Sequence, residues 1–494
     1  MGSIPWDYVS GQQTSKHAVV IGAGAAGLVA ARELLREGHS VTVLESSSIA
    51  GGVWAYTDEV ESDPLGAQPE KRIHSSLYRD LRVNLPRQLM AFADFPFSSQ
   101  TMNSTSVDSR DYPCHQEVLA YLQAFTNAYH LRPHIRFGAT VVHVSPLFPA
   151  CNGTSANGDD SAPWPRWQVS FSTGQQDGSQ AAASTSHIET DAVLVCNGHY
   201  RDPMVPAIPG RHTFPGQQLH THNYRSNEAF TGKRVCVIGA MASGIDISFE
   251  IAAVADQVWL CSRTWPDTVS IGEEHSALGI VNLHAMSPPE ELHPDGGITF
   301  RGGSHIRAVN VIVYATGYRY SFPFLDAKCG VSVNNNRVGP VYKHTLVPHL
   351  GPSLSFLGLP FKVAPFPLFE AQARWVARAL SKRISLPSID DMLADIERWD
   401  QDVHSRSWPL RYTHMLGDEH WDLIEWLNIQ SEHNTSALPE WRRALWQAAG
   451  AQRAVAPQKY RDIPLNADLL AEAASDGIKA WHEQQTRVKQ QGCC

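Results

Sequence analysis

The 494-residue sequence predicts an α/β chain with two Rossmann-like dinucleotide-binding domains, the first of them discontinuous, and a helical C-terminal extension. Two glycine loops carry that prediction. They lie 217 positions apart (239 minus 22), each between an apolar strand-like run and a helix-like stretch. A second strand follows each unit, and the two second strands end in opposite charge.

In the first unit Ala18–Ile21 reads as a strand, Gly22-Ala23-Gly24-Ala25-Ala26-Gly27 as a tight turn and Leu28–Leu35 as a helix. The glycines let the chain turn sharply, let backbone approach a pyrophosphate and let the helix pack on the strand. The pyrophosphate then lies on the helix N-terminus, where free N–H groups and the macrodipole favour an anion. The strand Ser40–Leu44 ends at Glu45, 23 positions beyond Gly22 (45 minus 22). A carboxylate there accepts from a ribose diol and repels a 2′-phosphate, which selects FAD or NAD over NADP. Next, Ile49-Ala50-Gly51-Gly52-Val53-Trp54 brings a diglycine to where more backbone can meet a cofactor. Trp54 suits a place beside an isoalloxazine and suits an ordinary core position equally.

The second unit has the strand Val235–Ile238 and the loop Gly239-Ala240-Met241-Ala242-Ser243-Gly244, with Met241 where the middle glycine belongs. A side chain at that turn weakens the motif. The following strand, Gln257–Cys261, ends in Ser262-Arg263, and Arg263 lies 24 positions past Gly239 (263 minus 239). An arginine fork suits a 2′-phosphate and so NADPH; the alternative is a solvated cation at a strand end. FAD and NADPH held face to face are the arrangement that passes a hydride from nicotinamide to flavin.

Bulk properties narrow the class. Hydrophobic content of 43% and charged content of 18% fit a globular enzyme, and a net charge of −9 without a long basic run argues against nucleic acid. Among 23 histidines none forms a spaced metal motif; His220 and His222 flank one residue and read as one side of a strand. Eight scattered cysteines without a C-x-x-C fit a reducing, cytoplasmic compartment, and no apolar run of transmembrane length or signal core is read. The N-x-S/T triplets at Asn103, Asn152 and Asn434 are then coincidental, and Cys493-Cys494 does not match C-a-a-X.

The expected organisation is a loose N-terminus over 1–16, a first FAD part over 17–204, an NADP domain over 205–305, a second FAD part over 306–385 and a helical extension over 386–494. Within the first part, Glu117–Leu122 reads as helix, and Trp167–Phe171 as a strand inside the biased segment 150–188. The strands Ala192–Cys196 and Val309–Tyr314 both read as points where the chain leaves or re-enters the FAD sheet.

Several strings resemble the flavin-containing monooxygenases over about residues 17–420. The most specific is Phe214-Pro215-Gly216-Gln217-Gln218-Leu219-His220-Thr221-His222-Asn223-Tyr224, which fits F-x-G-x-x-x-H-x-x-x-Y/F at every fixed position. Tyr224 speaks against Baeyer–Villiger relatives, which end that string in tryptophan. Tyr314-Ala315-Thr316-Gly317-Tyr318 is similar to the family's F-A-T-G-Y. Ser76–Arg87, Asn197–Tyr200 and Ala242–Asp246 resemble the plant S-oxygenase branch typified by glucosinolate S-oxygenases, which also tolerates a bulky residue at Met241.

The resemblance implies that NADPH reduces FAD, dioxygen adds at flavin C4a, and the hydroperoxide transfers oxygen to a small thioether or other soft nucleophile. N-hydroxylation, oxidative decarboxylation, an uncoupled NADPH oxidase and a nucleotide-binding protein without turnover are the alternatives. Asn84 is the one catalytic candidate, matching an asparagine that faces the flavin in the family; its other reading is a turn residue before Leu85-Pro86. The residues expected to bind the cofactors are Gly22, Gly24, Ala25, Ala26, Gly27, Glu45, Gly52, Val53, Trp54, Asn84 and Leu85, with Gly239, Ala242, Ser243, Gly244, Arg263, Thr316 and Gly317. No metal is expected, His220 and Tyr224 are expected to serve the linker between the domains, and the oligomeric state is left open.

Overall fold

A parallel sheet forms around each glycine unit, because short β-branched runs buried on both faces need helices above and below. The computed structural model describes residues 15–102, 105–148, 164–173, 184–265, 280–431 and 438–491. Asn103, Asn152, Asn434, Cys151, Cys493, Cys494, most of the N-terminal sixteen residues and most of the 150–188 segment lie outside the described residues.

The first sheet runs Leu346–Val347, Gly351–Phe356, Ala192–Val195, His17–Ile21, Ser40–Leu44, Ile135–Arg136. All its pairs are parallel except the outermost, Leu346–Val347 on Gly351–Phe356. The second runs Leu283–Met286, Gln257–Cys261, Arg234–Ile238, Val311–Tyr314, Gln217–His220, and every pair is parallel. Each carries its glycine loop at the C-terminal end of a central strand. Trp167 lies in Arg166–Thr173, the middle of a three-stranded antiparallel sheet, and Glu117 in the helix His115–Ala128.

Two expectations are corrected. The strand Val311–Tyr314 belongs to the second sheet, between Arg234–Ile238 and Gln217–His220, and does not re-enter the first. The first sheet regains the chain only at Leu346 and Gly351. Both sheets need an apolar parallel strand beside the glycine strand, so the two runs read alike; only long-range pairing tells them apart. His220 and His222 are corrected too: His220 ends a strand, whereas His222 sits in the following helical turn Thr221–Asn223.

The helical extension covers the first domain. Trp421, Leu427, Trp441, Leu445 and Tyr460 share a core with the first nucleotide helix, Ala25–Arg36, and with Pro365–Leu380. A buried ionic cluster fastens these two helices. Arg32 is fully buried and donates to Asp94 at 2.6 Å and Glu370 at 2.5 Å, with Glu33 at 2.6 Å. Arg36 and Arg374 join the same carboxylates. Burial raises the Glu33 carboxyl, but Arg32, Arg36 and Arg374 outweigh it and hold it at about 2; Asp94 is likewise held low by Arg32 and Arg36 against its burial. Both lie below their unfolded values, so their contribution is complete above about pH 4.5 and is lost as pH falls toward 2. Thermal unfolding scans should show a melting temperature that declines across that window. A flat profile from pH 5 to 2.5 would contradict this account of the cluster.

Candidate active site

In the first loop Gly22 has φ +102°, and a Cβ there would stand 2.6 Å from Cys196 O. A Cβ on Gly27 would overlap Gly22 O. Only glycine fits either place. Gly51 N donates to Ala23 O at 2.9 Å and seats the diglycine turn against the loop; a Cβ on Gly52 would come 2.8 Å from Gly24 Cα. The helix Ala25–Arg36 starts at Gly24 without a side-chain cap and without an acid in its first turn, so its first N–H groups are left for an anion. Ala26 and Trp54 pack half-buried against the first core, and Val53 O accepts from Ser75 Oγ at 3.0 Å.

Glu45 is buried at the end of its strand and already fixed: Oε2 accepts from Ala23 N at 2.6 Å and Oε1 from Ser47 N at 2.8 Å. Ser46 Oγ also donates to Oε1 at 3.5 Å, and Oε2 keeps a further lone pair. Asn84 follows Val83, whose N–H donates to Pro113 O at 2.9 Å; the Asn84 amide is half-buried and makes no hydrogen bond among the described residues. Leu85 beside it packs against the first core.

The second loop repeats the first. Gly239 has φ +113°, a Cβ there would overlap Ala315 O, and one on Gly244 would overlap Gly239 O. Ala315 thus stands to the second loop as Cys196 stands to the first. Met241 is the residue before the helix Ala242–Ala252, with its side chain half exposed, and that helix again has no side-chain cap and no acid in its first turn. Ala242 and Ser243 open the helix. Arg263 is exposed past its strand, and its guanidinium donates to Tyr412 Oη at 3.2 Å. Thr316 Oγ1 donates to Met204 O, and Gly317 O accepts from His220 Nε2 at 3.0 Å. Thr316 and Gly317 are therefore placed beside the second loop.

Between the units, burial and neighbouring His222 push His220 down to about 3, so its ring is neutral. His220 Nδ1 accepts from His222 N at 3.0 Å, which leaves the proton on Nε2 for Gly317 O. His222 Nε2 lies 3.2 Å from buried Glu61. Tyr224 Oη donates to Glu250 at 2.7 Å. Arg225 was not legible in sequence: its buried guanidinium donates to the carbonyls of Thr57, Glu59, Ser75, Leu77, His222 and Tyr224. A lone arginine beside a motif carries no signal that six carbonyls will converge on it. No group of three metal-ligating side chains occurs among the described residues.

The family model described as flavin-binding monooxygenase-like matches residues 15–274 and 279–429. The chain belongs to this family. It is a flavoprotein monooxygenase with FAD and NADP as its cofactors. Among similar proteins, flavin-containing monooxygenase FMO GS-OX-like 2 of Arabidopsis thaliana is 43% identical over 94% of this chain and 95% of its own length. FMO GS-OX2 of the same organism is 42% identical over 94% and 95%. S-allyl-L-cysteine S-oxygenase from Allium sativum has a solved structure similar at TM-score 0.83 and 38% identity, over 94% of this chain and 99% of that one. Tmm from Pelagibacter sp. strain HTCC7211, at TM-score 0.71 and 21% identity, shares the fold. No described helix of this monooxygenase is long and apolar enough to cross a membrane.

Proposed function

We propose that this monooxygenase is an NADPH-dependent S-oxygenase acting on a small thioether. The balance is thioether, dioxygen, NADPH and a proton giving sulfoxide, water and NADP⁺. The observation that carries the reading is the near end-to-end likeness to a protein named as an S-allyl-L-cysteine S-oxygenase. Bound FAD supplies the redox chemistry, taking two electrons and activating dioxygen. The chain supplies binding and orientation: the 22–27 loop for a flavin pyrophosphate, Glu45 for its ribose, the 239–244 loop for the nicotinamide dinucleotide and Arg263 for its 2′-phosphate. Asn84, with an amide committed to no partner among the described residues, is the side chain offered to the reacting centre.

The test is product stoichiometry with S-allyl-cysteine and with a methylthioalkyl compound. One sulfoxide per NADPH and per dioxygen is expected. Hydrogen peroxide in place of sulfoxide with every thioether would make the chain an oxidase, and a hydroxylamine product from an amine would move the reading to N-oxygenation.

Arg263→Ala should raise the Michaelis constant for NADPH roughly 10–100-fold, the value of a charge-assisted pair. The constant for NADH should stay within about twofold, because NADH offers no 2′-phosphate to lose. Equal losses with both would remove Arg263 from this role.

A further inference from the structure

The helical extension does more than cover the first domain. In its turn Tyr460–Asp462, Tyr460 is buried with its ring edge-on to Tyr112 at 5.4 Å between centroids. From that anchor Arg461 reaches both nucleotide units. Its Nε donates to Val83 O at 2.9 Å, the carbonyl directly before Asn84. Its Nη1 and Nη2 grip the two oxygens of Asp246 at 3.1 and 2.5 Å, early in the helix that follows the second glycine loop. Tyr78 Oη adds a bond to Asp246 at 3.4 Å. From the first unit, Arg82 Nη1 holds Asp462 at 2.6 Å and Nη2 holds Arg461 O at 3.1 Å. The Arg461 and Asp246 side chains are only 13% and 16% exposed, so water competes weakly for the pair.

We infer that Arg461 is a positioning residue that braces the second unit against the Val83–Asn84 turn, and so sets the separation of nicotinamide from flavin. A planar fork is required, since three N–H groups are used in two directions; an ammonium group cannot span both. Arg461 lies beyond residue 429, where the family model ends. The brace rests on the proposed function only for its consequence, hydride transfer; the contact itself does not depend on it.

The experiment compares the FAD-loaded full chain with Arg461→Met, Arg461→Lys, Asp246→Asn and the exchange Arg461→Asp with Asp246→Arg. Flavin content and reduction by dithionite should be unchanged in all. The rate of flavin reduction by NADPH should fall at least tenfold in Arg461→Met and Asp246→Asn, stay low in Arg461→Lys and recover in part in the exchange. Small-angle scattering should show a broader distribution of distances in Arg461→Met. Reduction within twofold of the parent together with unchanged scattering overturns the brace. If Arg461→Met fails to fold, Asp246→Asn, which leaves the 460–462 turn untouched, decides between the two outcomes. If the parent chain is itself not reduced by NADPH, the cofactor assignment fails, and scattering alone still decides the brace.

Discussion

Gly24→Ala should yield a folded, colourless protein, whereas Gly27→Ala should lose fold and flavin together. The two substitutions add one methyl to the same loop, and the structure separates them. A Cβ on Gly24 stands 3.5 Å from Gly52 Cα, an ordinary contact that the chain accommodates. A Cβ on Gly27 overlaps Gly22 O, so strand, turn and helix cannot keep their arrangement. If the backbone at Gly24 approaches the pyrophosphate, as the proposed site requires, its methyl excludes the flavin and weakens binding by at least about 3 kcal/mol, roughly 100-fold. Bound flavin itself raises stability by mass action, so melting temperatures are compared with the parent stripped of flavin. Gly24→Ala should match that stripped parent within a few degrees. A yellow, fully loaded Gly24→Ala protein would move the flavin site elsewhere.

Arg32→Met should destabilise the chain by about 3–5 kcal/mol, to be measured as the shift of the urea unfolding transition at pH 7.5. Methionine fills much of the space and keeps contact with the rings of Phe92, Phe125 and Tyr129 around the guanidinium. What it leaves is Glu33, Asp94 and Glu370 buried with a cation removed from their midst. The charged forms of Glu33 and Asp94, which Arg32 holds low, are then disfavoured, and the titration of these two groups moves upward. The penalty should therefore shrink as pH falls toward 5, where protonation relieves the buried charge. A penalty independent of pH would assign the loss to packing.

Much of the fold was legible because its signals are local. Each glycine loop, the strand before it and the helix after it fall within about twenty residues, and Glu45 and Arg263 lie at the ends of the next strands, where spacing alone locates them. The assignment of Val311–Tyr314 failed because a strand's sheet is chosen by partners more than seventy residues away, Val235 among them (311 minus 235). Arg32 meets Glu370 across 338 positions, and Arg461 meets Asp246 across 215. No periodicity in the sequence reports such pairs. Trp54 shows the intermediate case: its string located a turn beside the loop, and its packing against the first core still allows a neighbouring cofactor.

The late return of the first sheet also orders assembly during synthesis. The second sheet is complete once Tyr314 has emerged from the ribosome, while Gly351–Phe356, which pairs with Ala192–Val195, is still to be made. Glu370, the partner of Arg32, follows later still. The nascent first unit therefore waits with an open strand edge and an uncovered helix face until its downstream partners arrive. The last strand of the second sheet thus precedes the last strands of the first in the chain, and a chain cut before residue 356 should lack part of the first sheet.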